Sequence, residues 1–385
     1  MPELLPIDLR NLQEKIQSFI DNVLINIETE LDSNLNQPIP KNILDEVRGR
    51  SVENGVWGLT QPIEFGGSEA NILEMTVVRE ILGQANLRIG NYILGPQPGI
   101  LASVQGKLRE QYLLPLMKGE KKGAFAFTEA STIPHSKPTW ASLKDQEFTI
   151  TGQKSFISGG ADADFFSTLV NIESKSGSSG TAIVLIDKDT KGISIEREFR
   201  SLDGSSHISI TLNSVKIPDW HIVGEIGEGM PRALRNINNV RMAIAAKSTG
   251  LAKWSTEFAA QNIKQPHRSG ISLSDREGVR LRLADMLIQV YAMRSILYRT
   301  ARITNENNVS AVNEILTTKI FCTEQVGLIV DKAIDLCGGN SLIEGHPLER
   351  TYREVRSLRF AEGASDILRL NLAKNYLESN SSVRF

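Results

Sequence analysis

Two cysteines in 385 residues, Cys322 and Cys337, are too few for a disulfide framework. Their spacing along what reads as one continuous helix suits neither a bridge nor a metal knot. Excess positive charge is also missing: 43 Lys and Arg stand against 45 Asp and Glu, a formal net charge of -2. Nothing there predicts binding to nucleic acid or to an anionic membrane. No apolar run reaches the roughly 20 residues that cross a bilayer. Met1-Pro2-Glu3-Leu4-Leu5-Pro6 has neither the basic start nor the apolar stretch of an export signal, which predicts a cytoplasmic protein. The histidines, His135, His207, His221, His267 and His346, are scattered without ligand spacing, so no metal site is expected. No Ser/His/Asp set or reactive cysteine is indicated.

What is present is an ordinary globular chain, 41% hydrophobic and 23% charged, long enough for a sizeable core. Leu12, Ile16, Phe19, Ile20, Val23, Leu24, Ile27 and Leu31 recur every three or four residues, predicting a long amphipathic helix from about Leu9. Pro38 and Pro40 break it, and a short helix follows to about Asn54, with Gly55 placed to cap it. Helical spacing returns over 72–84, over part of 89–105 and over 108–118. After Gly123 the period falls to two: 148–151, 165–172, 181–186, 193–195 and 208–212 read as strands punctuated by Gly and Asp. Strand follows strand without helices between, which excludes a doubly wound sheet. From Gly229 the pattern is helical again over 229–262, 275–304, 309–337 and 364–378, with a capping box at Ser274-x-x-Glu277. The expected fold is therefore α+β and multi-domain: an N-terminal helical domain over 1–122, a central antiparallel β domain over 123–228, and a C-terminal helical bundle over 229–385. Gly224-x-x-Gly227-x-Gly229 reverses the dinucleotide-binding order and reads as turn residues.

One carboxylate stands at the mouth of the last helix. In Leu358–Arg369, Gly363 frees the backbone to turn, Ser365 is placed to cap, Asp366 suits the helix dipole, and Ile367, Leu368 and Leu370 begin an apolar face. Taken alone, Glu362 reads as a helix-entry carboxylate. The stretch also resembles the acyl-CoA dehydrogenase family, in which Glu-Gly-Thr-Ser-Glu-Ile precedes the last helix and the first Glu abstracts the α-proton of an acyl thioester. Here Glu-Gly-Ala-Ser-Asp-Ile keeps the Glu and has Ala364 for the Thr.

Other segments extend the resemblance over nearly the whole chain, including its order of helices, β domain and four-helix bundle. Gly123–Ala130 is similar to a family strand ending in Thr-Glu-Pro, which implies that Thr128 hydrogen-bonds a flavin ring. Gly152–Asp164 is similar to Gly-x-Lys-x-Trp-Ile-Thr-Asn, which implies that Phe156 and Ser158 lie against that ring. Val223–Met230 followed by Arg241 resembles the entry to the bundle, and Gly204 and Ser205 match the loop before it. The resemblance implies substrate-binding parts for Arg241, Ser205 and Gly363. Some family branches carry the base at the position of Val240, which leaves Glu362. Pro347–Glu354 matches Pro-x-Glu-Arg-x-Tyr-Arg-Asp, where ion pairing is an equal reading for Arg350 and Arg353.

The sequence departs most where the family holds the diphosphate and adenosine of FAD. A run of Ala-Gly-Ser-Asp falls on Thr132-Ile133-Pro134-His135, and Pro134 has neither N–H nor hydroxyl. An Arg-x-x-Phe-Gly falls on Pro266–Gly270, with Arg268 the substitute if the loop shifts. A Gln-x-x-Gly-Gly-x-Gly falls on Asp335–Ser341, keeping Gly338 and Gly339. A carboxylate near a diphosphate costs on the order of 1–4 kcal/mol. The resemblance implies an FAD-dependent dehydrogenase of acyl-CoA or an acyl carrier protein thioester, in a homotetramer or dimer. The alternative is an FAD-less protein of the same fold, acting as an acid–base catalyst or as the thioester-binding subunit of a hetero-oligomer. A DNA-associated relative finds no basic signal.

Overall fold

The computed structural model describes residues 5–31, 38–130, 138–174, 177–267, 270–306 and 311–378. They form two compact units, one from residues up to Gly95 and from Asn238 onward, the other from Pro96–Ile237.

Helix α1 (Ile7–Phe19) passes through a π-turn at Ile20–Leu24 into α2 (Ile25–Thr29). The expected amphipathic helix is thus present, and Ile16, Phe19, Ile20, Leu24 and Ile27 are all buried along it. Helix α3 (Lys41–Glu53) ends at Asn54, and Gly55, at φ +62°, follows in the left-handed region as expected. Helix α4 (Ile72–Ala85) opens on a capping box: Asn71 Oδ1 accepts the Glu74 N–H at 3.0 Å, and Glu74 Oε2 accepts the Asn71 N–H at 2.7 Å. Residues 89–105, expected to be partly helical, give only the 3-10 turns Arg88–Tyr92 and Gly99–Leu101, since Pro96 and Pro98 forbid a continuous ladder. Helix α5 (Gly106–Leu108) continues through a π-turn into α6 (Leu114–Lys118).

The strands are β1 (Gly123–Ala126), β2 (Trp140–Lys144), β3 (Glu147–Ser158), β4 (Phe165–Ser174), β5 (Gly177–Asp187), β6 (Ile193–Arg200), β7 (Ser206–Pro218) and β8 (Ile222–Val223). The helices that follow are α7 (Gly229–Ile263), α8 (Glu277–Asn305), α9 (Val312–Cys337), α10 (Pro347–Leu358) and α11 (Ser365–Glu378). Helix α8 does not begin with the expected Ser274-x-x-Glu277 box. Leu273–Asp275 close a 3-10 turn instead, in which Ser272 Oγ accepts the Ser274 N–H at 3.3 Å, and α8 starts after Arg276.

In the β unit, the described residues form an eight-stranded sheet in the order β6-β7-β3-β2-β4-β5-β8, with β1 added on β4. Antiparallel pairing dominates, as expected. One edge of β4 is shared end to end by β1 and β2, both parallel to it. The core alternates inward from the strands: Phe148, Ile150, Phe166, Val170, Val184, Ile186, Ile208 and Ile210 are buried. Between Lys154 and Ile157 the register against β7 shifts by one residue, a bulge that turns Phe156 outward at φ +55°.

In the helical unit, α4 and α7 approach at two glycines. A Cβ on Gly83 would stand 2.7 Å from the Lys247 carbonyl oxygen, and one on Gly250 would overlap the Glu80 carbonyl oxygen. Buried Glu80 beside this contact receives Arg294 Nε at 2.6 Å and the Tyr298 hydroxyl. Neither backbone can give way, so Gly250→Ala is expected to destabilise the protein by about 1–3 kcal/mol, the usual cost of overpacking, measured as a lower urea midpoint with unchanged m. Unchanged stability would mean that the two helices are free to separate.

Candidate active site

The carboxylate loop is built from the ends of two helices. Helix α10 stops at Leu358, and the chain reverses through Glu362 at φ +54° and Gly363 at φ +109° before α11. A positive φ at a glutamate costs about 1–2 kcal/mol and persists only where its surroundings impose it. Two buried cations impose it here. Arg241 on α7 donates from Nε to the Glu362 carbonyl at 3.0 Å and from Nη1 to Asn238 Oδ1 at 2.9 Å. Lys319 on α9, fully buried, donates from Nζ to the carbonyls of Arg359 at 3.0 Å and Gly363 at 2.8 Å. The loop's carbonyl oxygens therefore face inward, and among the described residues no backbone carbonyl takes the Glu362 N–H. At φ +109° any side chain on Gly363 would be strained, and a Cβ there would also push on Leu368 Cδ2, 2.9 Å away. Ser365, expected as the cap, is instead the first helical residue and buried; the Ala364 carbonyl accepts the Leu368 N–H at 3.1 Å. Farther along, Arg369 grips both carboxylate oxygens of Glu324, at 2.7 and 2.6 Å.

Burial raises the Glu362 carboxyl above its ordinary range, and Arg241 and Lys319 oppose that rise. Burial likewise pushes Lys319 down to about 8, helped by repulsion from Arg241 and resisted by Glu362. Arg241 is lowered by burial and supported by Glu362. The result is a carboxylate more basic than one in water, beside cations that favour its charged form.

The β unit holds a second cluster. Thr128 is exposed at the end of β1, and its carbonyl accepts the Ser155 N–H at 2.9 Å. Fully buried Lys154 fixes that segment, donating from Nζ to the Phe127 carbonyl at 3.1 Å and to Glu129 Oε1 at 2.5 Å. The second oxygen of Glu129 accepts the Thr139 N–H at 3.1 Å and its hydroxyl at 2.8 Å. Phe156 lies edge-on to Phe199, ring centroids 5.2 Å apart, and is 60% exposed. Ser158 and Ser205, given different roles by the resemblance, meet on one imidazole: Ser158 Oγ is 3.1 Å from His207 Nδ1 and Ser205 Oγ is 3.2 Å from His207 Nε2.

An exposed aromatic at a strained φ, an exposed threonine and an exposed serine suit one face of a flat ring, and to that extent the residues fit the ring of a flavin. Gly338 (φ +80°) and Gly339 end α9 with open space around them, room for the close approach of a phosphate. Asp335 is exposed one turn earlier and offers no donor. Arg268 and Thr132–His135 lie outside the described residues. Arg350 and Arg353 serve packing: Arg350 donates to the carbonyl and side chain of Asn86, the C-cap of α4, and Arg353 Nε pairs with Glu349 at 2.8 Å. The sequence reading gave no part to Lys319, Lys154 or His207. A lysine amid the apolar spacing Ile315, Leu316, Lys319, Ile320 was the available signal for the first.

Family models described as acyl-CoA dehydrogenase N-terminal, middle and C-terminal domains match residues 7–120, 124–215 and 227–377. The chain belongs to the acyl-CoA dehydrogenase family. It is 26% identical over 342 residues to the 3-(aryl)acrylate reductase of Clostridium sporogenes, covering 86% of this chain and 90% of that protein. It is also 26% identical to an acyl-CoA dehydrogenase of Bacillus subtilis, covering 84% and 88%. The butyryl-CoA dehydrogenase structure from Megasphaera elsdenii shares the fold at a TM-score of 0.79 and 21% identity, over 98% of this chain and 100% of that one. Acyl-CoA dehydrogenases are oxidoreductases acting on CH–CH groups, and the α+β architecture found here is theirs.

Because Glu362 holds its proton more tightly folded than unfolded, its contribution to stability is present at acid pH and is lost as pH rises through the raised folded value. Glu362→Gln is therefore expected to melt higher than the parent at pH 7, with the difference fading as the pH falls to where the carboxyl is protonated in both states. A lower melting temperature at pH 7 would show that Arg241 and Lys319 outweigh burial.

Proposed function

We propose that this acyl-CoA dehydrogenase family member interconverts a saturated acyl thioester and its α,β-unsaturated form, with Glu362 as the base. The observation that carries the reading is the Glu362 loop. Its carbonyls are drawn inward by Arg241 and Lys319, its N–H has no backbone partner among the described residues, and its carboxyl is raised by burial. That N–H offers a donor to the thioester carbonyl as negative charge develops there. The carboxylate takes the α-proton, and Arg241 and Gly363 shape the surface beside it.

FAD is the cofactor this reading assigns, and when bound it supplies an acceptor for the hydride that leaves the β-carbon. Thr128, Phe156 and Ser158 would hold its ring, while Gly338, Gly339 and Arg268 are the residues that a neighbouring copy of the chain would bring to its phosphates. The carrier of the acyl group is CoA or an acyl carrier protein. Assembly with further copies of the chain is supported by an exposed apolar stripe on α8, where Leu281, Leu287, Ile288 and Tyr291 are each more than half exposed. Asp335 favours a second reading, a flavin-free protein in which Glu362 only moves a proton along the acyl chain.

Absorbance of the purified protein with and without added FAD separates the two. The first predicts a flavin band near one per chain that an acyl thioester bleaches, with the bleaching rate lowered by about 10²–10⁴-fold in Glu362→Gln. No band in folded protein, together with Glu362-dependent exchange of the α-proton in heavy water, would establish the second.

A further inference from the structure

His207 lies at the centre of a row across three strands, opposite Phe199 of β6 and Ser158 of β3. The ring of Phe199 lies 5.5 Å from its own, tilted by 30°, and Phe156 meets it edge-on at 6.2 Å. Its nitrogens reach in opposite directions. Nδ1 is 3.1 Å from Ser158 Oγ, while Nε2 is 2.7 Å from Ser201 Oγ and 3.2 Å from Ser205 Oγ, both in the turn between β6 and β7. A histidine spans turn and strand in a way that no hydroxyl residue could.

The hydrogens in this network can be assigned from one end. Ser205 Oγ is 2.6 Å from Asp203 Oδ1, and a carboxylate only accepts, so the Ser205 hydrogen belongs to Asp203. Ser205 can then meet His207 only as an acceptor, so the tautomer that makes every contact of the network a hydrogen bond carries the imidazole hydrogen on Nε2, shared with Ser201. A neutral ring protonated there has a bare Nδ1, and Ser158 must donate to it. The single hydrogen of Ser158 is thereby used, and toward anything bound on the exposed side Ser158 presents oxygen lone pairs only.

We propose that His207 is a positioning residue that sets the hydrogen-bond polarity of Ser158, making it an acceptor, so that this face selects a ring ligand bearing an N–H over the same ring with a bare nitrogen. The proposal rests on the flavin reading above for its ligand. The oxidised isoalloxazine presents an accepting nitrogen where the reduced ring presents N–H, so the β unit favours reduced over oxidised FAD. His207→Ala releases the Ser158 hydroxyl to rotate and donate, and the preference falls.

Two measurements test this. In ligand-free protein labelled with ¹⁵N-histidine, with the His207 signals identified by their loss in His207→Ala, the expected pattern is a protonated Nε2 and an unprotonated Nδ1. A proton on Nδ1 overturns the proposal whether or not flavin binds. The dissociation constants of oxidised and of anaerobically reduced FAD are then measured for the parent, His207→Ala, Ser158→Ala and the double variant. One hydrogen bond of ordinary strength predicts that the oxidised-to-reduced ratio falls about three- to tenfold in His207→Ala and does not change between Ser158→Ala and the double variant. An unchanged ratio in His207→Ala, or an equal fall in the Ser158→Ala background, overturns the coupling. Failure of FAD to bind at all sinks the flavin reading and the redox preference with it, while the nitrogen spectrum still decides the tautomer.

Discussion

A fully buried ammonium drawing backbone carbonyls inward is the constraint on which both functional segments depend. Lys319 does this to the loop that carries Glu362, and Lys154 does it to the segment that carries Thr128. Each segment is an irregular piece of chain after a helix or strand, where the carbonyls that the lysine takes, those of Arg359 and Gly363 in one and of Phe127 in the other, need a side-chain donor. A lysine suits the task because one nitrogen offers three donors in any direction, so it can gather acceptors that are not coplanar, which the planar fork of an arginine cannot. Arg241 makes the complementary contact, a single directed bond to the Glu362 carbonyl, which lies between those that Lys319 holds.

The energetics explain why so unfavourable a device persists. Burial, with repulsion from Arg241, drives Lys319 down to about 8, so its charged form is held at a cost in free energy. Against that stand two carbonyls that would lose about 1–3 kcal/mol each if buried without a donor, and a glutamate at positive φ that would relax. Lys154 reaches a similar balance by pairing with Glu129, whose second oxygen is occupied by Thr139. What these terms secure is the placement of a few atoms rather than global stability. Two of the residues held at positive φ, Glu362 and Phe156, are among those whose side chains are assigned chemistry.

The sequence exposed most of the fold because the fold rests on periodicity. The amphipathic run through Ile16 and Ile27, the change of period after Gly123 and the long helices after Gly229 are patterns of burial, and burial is what apolar spacing records. The failures were local. Ser274-x-x-Glu277 has the composition of a capping box, but the Ser272 hydroxyl took the Ser274 N–H first and delayed the helix. The bulge at Phe156 and the parallel edge of β4 follow from pairing partners distant in the chain, to which a local pattern is blind. Glu362 and the side chains proposed to face a flavin ring could be named from motifs. Lys319 and His207 could not, since their roles lie in backbone carbonyls and in the direction of a hydroxyl hydrogen.

The same distinction bears on one departure from the family's motif. Where a family pattern has Thr after Glu-Gly, this chain has Ala364, losing a hydroxyl at the helix entry. A loop held by its own side chains would be loosened by such a loss. This loop is held through the carbonyls of Arg359, Glu362 and Gly363, and the donors stand on α7 and α9, far away in sequence. Ala364 keeps the part that matters to the helix, a carbonyl for the Leu368 N–H. A substitution in the loop that leaves its backbone path intact leaves these bonds in place, whereas a change at Arg241 acts on the Glu362 carbonyl directly and one at Lys319 acts through the carbonyls on either side of it. A motif written in side chains undercounts what a site of this construction retains.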